Sequence, residues 1–271
     1  MKRFSIMLFL LLPVCFAMGQ KTSLERSRVP IYLNTGVGMG ASNYYDAGVS
    51  PLRYHGAGLG GDMGVTVDWC RFQASLEGRV EGCLVAGNKA DSSAGANGVT
   101  ILPRTSFMVR FAEPVEGSLR LWAGASVGSY VDIRINRKMM NAAVGLTMMF
   151  NLYGNFRLEY DIPSRRRTDL FTLTADISLP LMGIGERPGY AYVYNATSSS
   201  DPVEYLMDSY ESFGIFMSGA TTDIGFYFNL KNRNKIGLNY RWDYCTTRHA
   251  SAHRFDNAYH IVSLKLMFNI N

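Results

Sequence analysis

The chain has 271 residues and a formal charge of +5, two units of which come from Lys2 and Arg3 at its very start. So mild a balance, without any aromatic-basic binding motif, excludes a nucleic-acid partner, and four cysteines are too sparse for a disulfide framework. No internal stretch approaches the ~20 apolar residues of a membrane-spanning helix, so any passage through a membrane must be made by strands.

The first element is not part of the fold. Lys2 and Arg3 precede the apolar run Phe4 to Met18, and Ala17-Met18-Gly19 supplies small residues at the −3 and −1 positions. This reads as a secretory signal peptide, residues 1–19, cleaved before Gln20. Cys15 is not a lipidation site, because Val14 stands where a small residue is needed. Residues 20–271 remain as a single domain, with Cys70, Cys83 and Cys245.

From there the chain alternates with period two, the signature of strands with one apolar face. Ile31, Leu33, Thr35, Val37 and Met39 form the first row, Leu59 to Trp69 the second, and Phe72 to Val80 the third. Rows over 105–111, 119–127, 142–150, 156–162 and 171–179 come next, then 224–230, 236–244 and 262–270. Many of these rows run about ten residues or more. Ordinary soluble strands run ~5–6, whereas a tilted strand needs about 9–11 to cross a bilayer. The predicted cover of the apolar rows is lipid.

The links support this. Trp69 to Arg71, Glu113 to Gly117, Asn151 to Gly154 and Lys231 to Asn234 read as tight turns. Between them lie longer polar links at 43–55, 86–98, 134–139, 163–168 and 246–258. Short periplasmic turns alternating with long external loops are the habit of outer-membrane barrels. To keep both termini in the periplasm, one more outward strand is needed, and Gly189 to Ala196 is the candidate. Asp201-Pro202, with Glu204, predicts a short external helix after it. The expected fold is an all-β, transmembrane, antiparallel up-and-down barrel of about 12 strands in the outer membrane of a Gram-negative bacterium. Ser263 to Asn271 would close on the first strand, because hydrocarbon tolerates no unpaired sheet edge. Trp69, Phe72, Phe111, Phe150, Phe156, Phe228 and Phe268 would form one aromatic girdle; Tyr160, Phe171, Trp242 and Tyr244 would form the other.

The stretch "DISLPLMGIGERPGYAYVYN", Asp176 to Asn195, and the terminal strand resemble the uncharacterised outer-membrane barrels of Bacteroides-type bacteria, a domain family of unknown function. The resemblance implies a barrel over nearly all of the mature chain and brings no catalytic residue with it. One departure is the terminus: insertion signals of barrels often end on an aromatic residue, whereas here Asn-Ile-Asn follows Phe268.

Several motifs invite chemistry. Gly36-Val37-Gly38-Met39-Gly40 is no nucleotide loop, since no helix follows it. His249 and His253, four apart with Asp256 nearby, would share a face on a helix, but in a loop of Ser, Ala and Arg they read as solvated. His260 faces outward near the external boundary with no serine assigned beside it, as a hydrolase would require. We assign no catalytic residue, cofactor or metal. The inward rows are richer, with both signs interleaved: Glu77, Arg79, Arg104, Arg110, Arg120, Arg157, Glu159 and Asp161 are the expected lumen charge network. Arg165, Arg166 and Arg167 fall in a link placed outside, where guanidinium forks suit lipid phosphates. The expected partners are outer-membrane lipid and, during assembly, the barrel-insertion machinery. The expected function is a narrow or constricted conduit or passive membrane component. The alternatives are a lipid-modifying hydrolase and a structural or adhesion barrel.

Overall fold

Along Lys235–Thr246, Ile236, Leu238 and Tyr240 are exposed while Asn239, Arg241 and Asp243 are buried. This is a soluble sheet turned inside out, and it recurs on strand after strand. The computed structural model describes residues 29–48, 50–87, 95–135, 144–163, 170–188, 210–248 and 253–271. The predicted signal peptide, the candidate strand Gly189 to Ala196 and the helix expected at Asp201 lie outside them.

Among the described residues, eleven strands run in chain order: β1 Ile31–Asp46, β2 Ser50–Trp69, β3 Phe72–Gly87, β4 Gly95–Val115, β5 Leu119–Ile135, β6 Val144–Ile162, β7 Phe171–Pro188, β8 Tyr210–Phe216, β9 Gly219–Asn229, β10 Lys235–Thr246 and β11 Phe255–Asn269. All their pairings are antiparallel. β1 pairs with β11 from Tyr32↔Asn269 to Asp46↔Phe255, and β6 pairs with β7, so ten strands close into a barrel. β8 stands outside that circuit; among the described residues it pairs only with β7 over Met182–Pro188, beyond the stretch of β7 that pairs with β9. Met217 (φ 51°) and Gly219 (φ 144°) make the break between β8 and β9.

The count of twelve is therefore corrected to ten barrel strands and β8. Asn151 to Gly154 is no turn but the middle of β6, a single 19-residue strand. Asn151 and Tyr153 are buried in the lumen while Leu152 is exposed, so the alternation passes through without a change of phase. Because β6 is one strand and not two, β7 runs opposite to the expected direction. β7 starts at the end of the barrel that holds both chain termini, where Asn229 donates to the Leu170 carbonyl at 3.0 Å and Asp161 to that of Ser118 at 2.7 Å. The link holding Arg165, Arg166 and Arg167 thus joins two strands at the termini end, not the far end; these three arginines are themselves outside the described residues. Tyr160 and Phe171 also belong to the termini end, where Phe171 stacks on Phe226 at 5.4 Å. The long link expected over 43–55 is mostly strand, with Ala47 to Val49 alone between β1 and β2.

The outer surface carries Val37, Met39, Leu59, Met63, Leu76 and Leu84, each more than 60% exposed. At roughly 25 cal/mol per Å², such a surface cannot be left in water, and its backbone is paired all the way round the closed sheet, as hydrocarbon demands.

Candidate functional site: the barrel lumen

Ten strands enclose a little more space than the eight that side chains just fill. The interior fills that space unevenly, and the two halves differ in chemistry.

The half toward the far end is packed. Tyr44, Tyr54, Tyr130, Tyr259 and Phe255 point inward and are buried, Phe255 completely. Tyr44 lies 5.8 Å from Tyr54 and from Phe255, and Tyr130 lies 6.2 Å from Phe255, the last two contacts edge-on, geometries that suit the ring quadrupole. Two buried ion pairs are set among the rings. Arg134 Nε donates to Asp132 at 2.8 Å and its guanidinium covers Tyr44 at 4.1 Å. Arg187 reaches Asp46 at 2.6 Å and lies 5.3 Å from the Phe255 ring. Thr100 donates to Asp132 at 2.7 Å, and Asn257 to Tyr130 at 2.6 Å. A buried pair of charges persists only when its remaining hydrogen-bonding groups are met in this way. Beneath this plug is a gap of about 30 Å³ bordered by Glu81, Arg104, Tyr153, Asp243 and Tyr259, room for one water.

The half toward the termini holds the charges. Arg79 bonds Glu77 at 3.0 Å and approaches Asp243 at 3.8 Å. Arg241 bonds Asp223 at 3.0 Å, and Lys265 lies 3.6 Å from both Asp62 and Glu77. Arg157 bonds Asp176 and Gln73, each at 2.5 Å. Arg120 takes two carboxylates, Glu159 at 3.0 Å and Asp161 at 2.8 Å. Most of these groups, though not Asp62, Asp161, Arg241 or Asp243, line a chamber of about 330 Å³ that extends to the exposed Cys70. A mouth cavity of about 580 Å³, lined by Pro30, Tyr32, Lys231 and Arg233, shares Arg120, Glu159 and Lys235 with it.

The lumen thus gathers most of the predicted network, with three adjustments. Arg157 takes Asp176 as its ion-pair partner. Arg110 sits at the rim, 3.4 Å from Glu113 three residues further along β4. Arg104 bonds no carboxylate among the described residues; its guanidinium stacks on Tyr153 at 4.2 Å. The sequence reading missed the upper pairs. Asp132 and Arg134 continue the inward phase of β5 and were legible by running that strand further. Arg187 was not. An extra residue at Leu181, where the register on β6 steps from Tyr153↔Pro180 to Leu152↔Met182, flips the phase and turns Arg187 into the lumen.

Of the other candidates, Gly36 to Gly40 lie within β1, paired on both sides. His249 lies outside the described residues, and the carbonyl of His253 accepts from Thr247 at 2.9 Å. On the outer surface, His260 Nδ1 bonds the Tyr240 hydroxyl at 2.9 Å and lies beside Trp242, in an aromatic belt near the far end.

A closed antiparallel sheet, apolar outside and polar within, defines an outer-membrane β-barrel. No family model and no curated protein matches the chain. Among solved structures it is similar to the outer membrane protease OmpT from Escherichia coli, with 9% identity, 92% of this chain and 99% of that chain covered, and a TM-score of 0.50. The transport unit of the autotransporter AIDA-I from Escherichia coli aligns at 7% identity over 94% of both chains, with a TM-score of 0.43. An outer membrane channel from Pseudomonas putida F1 aligns at 7% identity over 92% of this chain and 99% of that one, with a TM-score of 0.37. At these identities the fold alone is shared.

Proposed function

We propose that this protein is a passive, constricted component of the outer membrane, one that presents a polar chamber to the periplasm and does not pass solutes freely through its lumen. One observation carries the reading: the plug is made of side chains from the barrel wall itself, with Phe255, Tyr130 and Tyr44 in contact and Arg134 and Arg187 pinned among them. Wall residues cannot swing aside as a loop can, because each is fixed by its strand and by neighbours on other strands. A sixteen-strand porin leaves an aqueous channel; here, among the described residues, a gap of about 30 Å³ lies directly beneath the plug, between it and the chamber. Outer-membrane lipid is the partner of the outer surface on this reading, and barrel-insertion machinery the partner during assembly.

Planar-bilayer recording tests it. The wild-type barrel should show no steady large conductance, whereas the double variant Phe255→Ala, Tyr259→Ala should conduct, since two aromatic side chains then leave the constriction. Large, stable wild-type channels would overturn the proposal.

A further inference from the structure

Among the described residues, two cations of the chamber, Arg104 and Lys235, have no carboxylate within ion-pair distance; Lys235 stands at the mouth, 5.3 Å over the Tyr32 ring, and Arg104 borders the inner end. Seven basic and five acidic side chains line it, and the carboxylates are largely committed: Glu77 to Arg79 and Lys265, Asp176 to Arg157, Asp223 to Arg241, Glu159 to Arg120. Arg104 borders both the chamber and the gap beneath the plug. Its cross-strand neighbour is Glu77, which Arg79, Lys265 and Arg241 already hold. What Arg104 has instead is Tyr153, a buried ring 4.2 Å beneath its guanidinium. Stacking of this kind fixes the plane of the fork and leaves its N–H groups directed edgewise.

A second observation is independent of Arg104. The indole Nε1 of Trp122 and the Nε of Arg79 are buried, line the same chamber and have no hydrogen-bond partner among the described residues. An unmet buried donor costs about 1–3 kcal/mol, so unmet donors around one polar space, with positive charge in excess, describe a place for acceptors. We propose that the chamber is a binding site for a compact anion bearing a carboxylate or phosphate group, with the Arg104 guanidinium as its principal contact. The planar fork matches two oxygens of either group. At about 330 Å³ the space is at the small end of ligand pockets, which run about 300–1,000 Å³, so a small acid fits and a sugar chain does not. Access is from the termini end, through the mouth cavity lined by Lys231, Arg233 and Lys235. The inference deepens the proposed function, resting on its periplasm-facing chamber but not on its plug.

Titration calorimetry of the full-length mature barrel in detergent micelles, with inorganic phosphate and with succinate as separate probes, tests it. Saturable binding of at least one probe is expected, with at least tenfold weaker binding by Arg104→Gln and a smaller loss by Arg104→Lys, which keeps charge without the fork. The preferred probe says whether phosphate or carboxylate is the native chemistry. Every variant is first checked for the compact, heat-modifiable band of a folded barrel. Should Arg104→Gln not fold, fluorescence decides: of the three tryptophans, Trp122 alone lines the chamber, so the anion should change wild-type emission and leave that of Trp122→Phe unchanged. Saturable binding of neither probe, or a folded Arg104→Gln that binds as the wild type does, overturns the site. Conductance is read separately, so an open pore would refute the plug and leave the anion site standing.

Discussion

Arg110 and Arg120 look alike in the sequence, both inward in phase and both on strands that meet at the same turn, yet their surroundings set them apart. Arg110 has one partner at the rim, Glu113, with the arginine side chain 25% and the carboxylate 33% exposed. Screening leaves such a pair worth below ~1 kcal/mol. Arg120 holds two carboxylates, the half-buried Glu159 and the buried Asp161, and Thr172 donates to Asp161 at 2.7 Å. Replacing Arg120 leaves two negative charges facing each other in a confined space, a loss on the order of 3 kcal/mol. In urea unfolding followed by tryptophan fluorescence, Arg120→Gln should therefore lower the midpoint clearly and Arg110→Gln should barely move it; equal effects would contradict this division. That these arginines face inward was legible from alternation alone. Which carboxylate each takes was not, because partners across a lumen depend on strand number and stagger, and no single strand encodes either.

At the scale of the strand, phase is the information the sequence holds best, and errors arise where a local feature imitates or hides a change in it. Asn151 to Gly154 has the composition of a turn, but Phe150, Leu152 and Phe156 keep one parity throughout. The continuous phase was the better guide, and β6 follows it. In β7 the reverse holds: Leu181 inserts a bulge that no turn residue announces, between Tyr153↔Pro180 and Leu152↔Met182. Glycine decides the closing seam. At Gly40 a Cβ would stand 1.6 Å from the His260 carbonyl oxygen on β11, a backbone atom that cannot yield. At Gly61, on the outer surface, it would find the Gly36 oxygen at an ordinary 3.7 Å. Gly40→Ala should thus disturb the β1–β11 pairing that closes the barrel, lowering the temperature at which the compact band is lost or abolishing that band. Gly61→Ala should leave it within a degree or two of wild type, as surface substitutions generally do.

At the scale of the whole molecule, the barrel character was readable because lipid exposure, strand length and alternation all point one way. The even parity of strands was also right, though by compensation. Splitting β6 added one strand and called for a further outward strand after β7, so both termini stayed at one end while the direction of β7 was reversed. The proposed orientation in the membrane rests on where most of the short turns lie, the three-residue link between β1 and β2 at the far end being the exception. Cys70-Arg71, the turn at Gly117 (φ 70°) and the Leu230–Asn234 turn, closed by a 2.8 Å hydrogen bond, all lie at the termini end. Short turns belong to the periplasmic side in such barrels, which is the side the proposed function gives to the termini. On the proposed orientation the far ends of several long strands rise above the bilayer: β4 has 21 residues, about twice the 9–11 needed to cross, with the plug toward the outside and the charged chamber toward the periplasm. Cysteine chemistry reads this directly. Cys70 is exposed at the termini end, whereas Cys83 and Cys245 are buried in the lumen. A membrane-impermeant maleimide added to intact cells should leave the protein unlabelled. After the outer membrane is permeabilised it should label one thiol per mature chain, and Cys70→Ser should abolish that labelling. Labelling of Cys70 in intact cells would invert the barrel, placing the chamber at the cell surface and the plug beneath it.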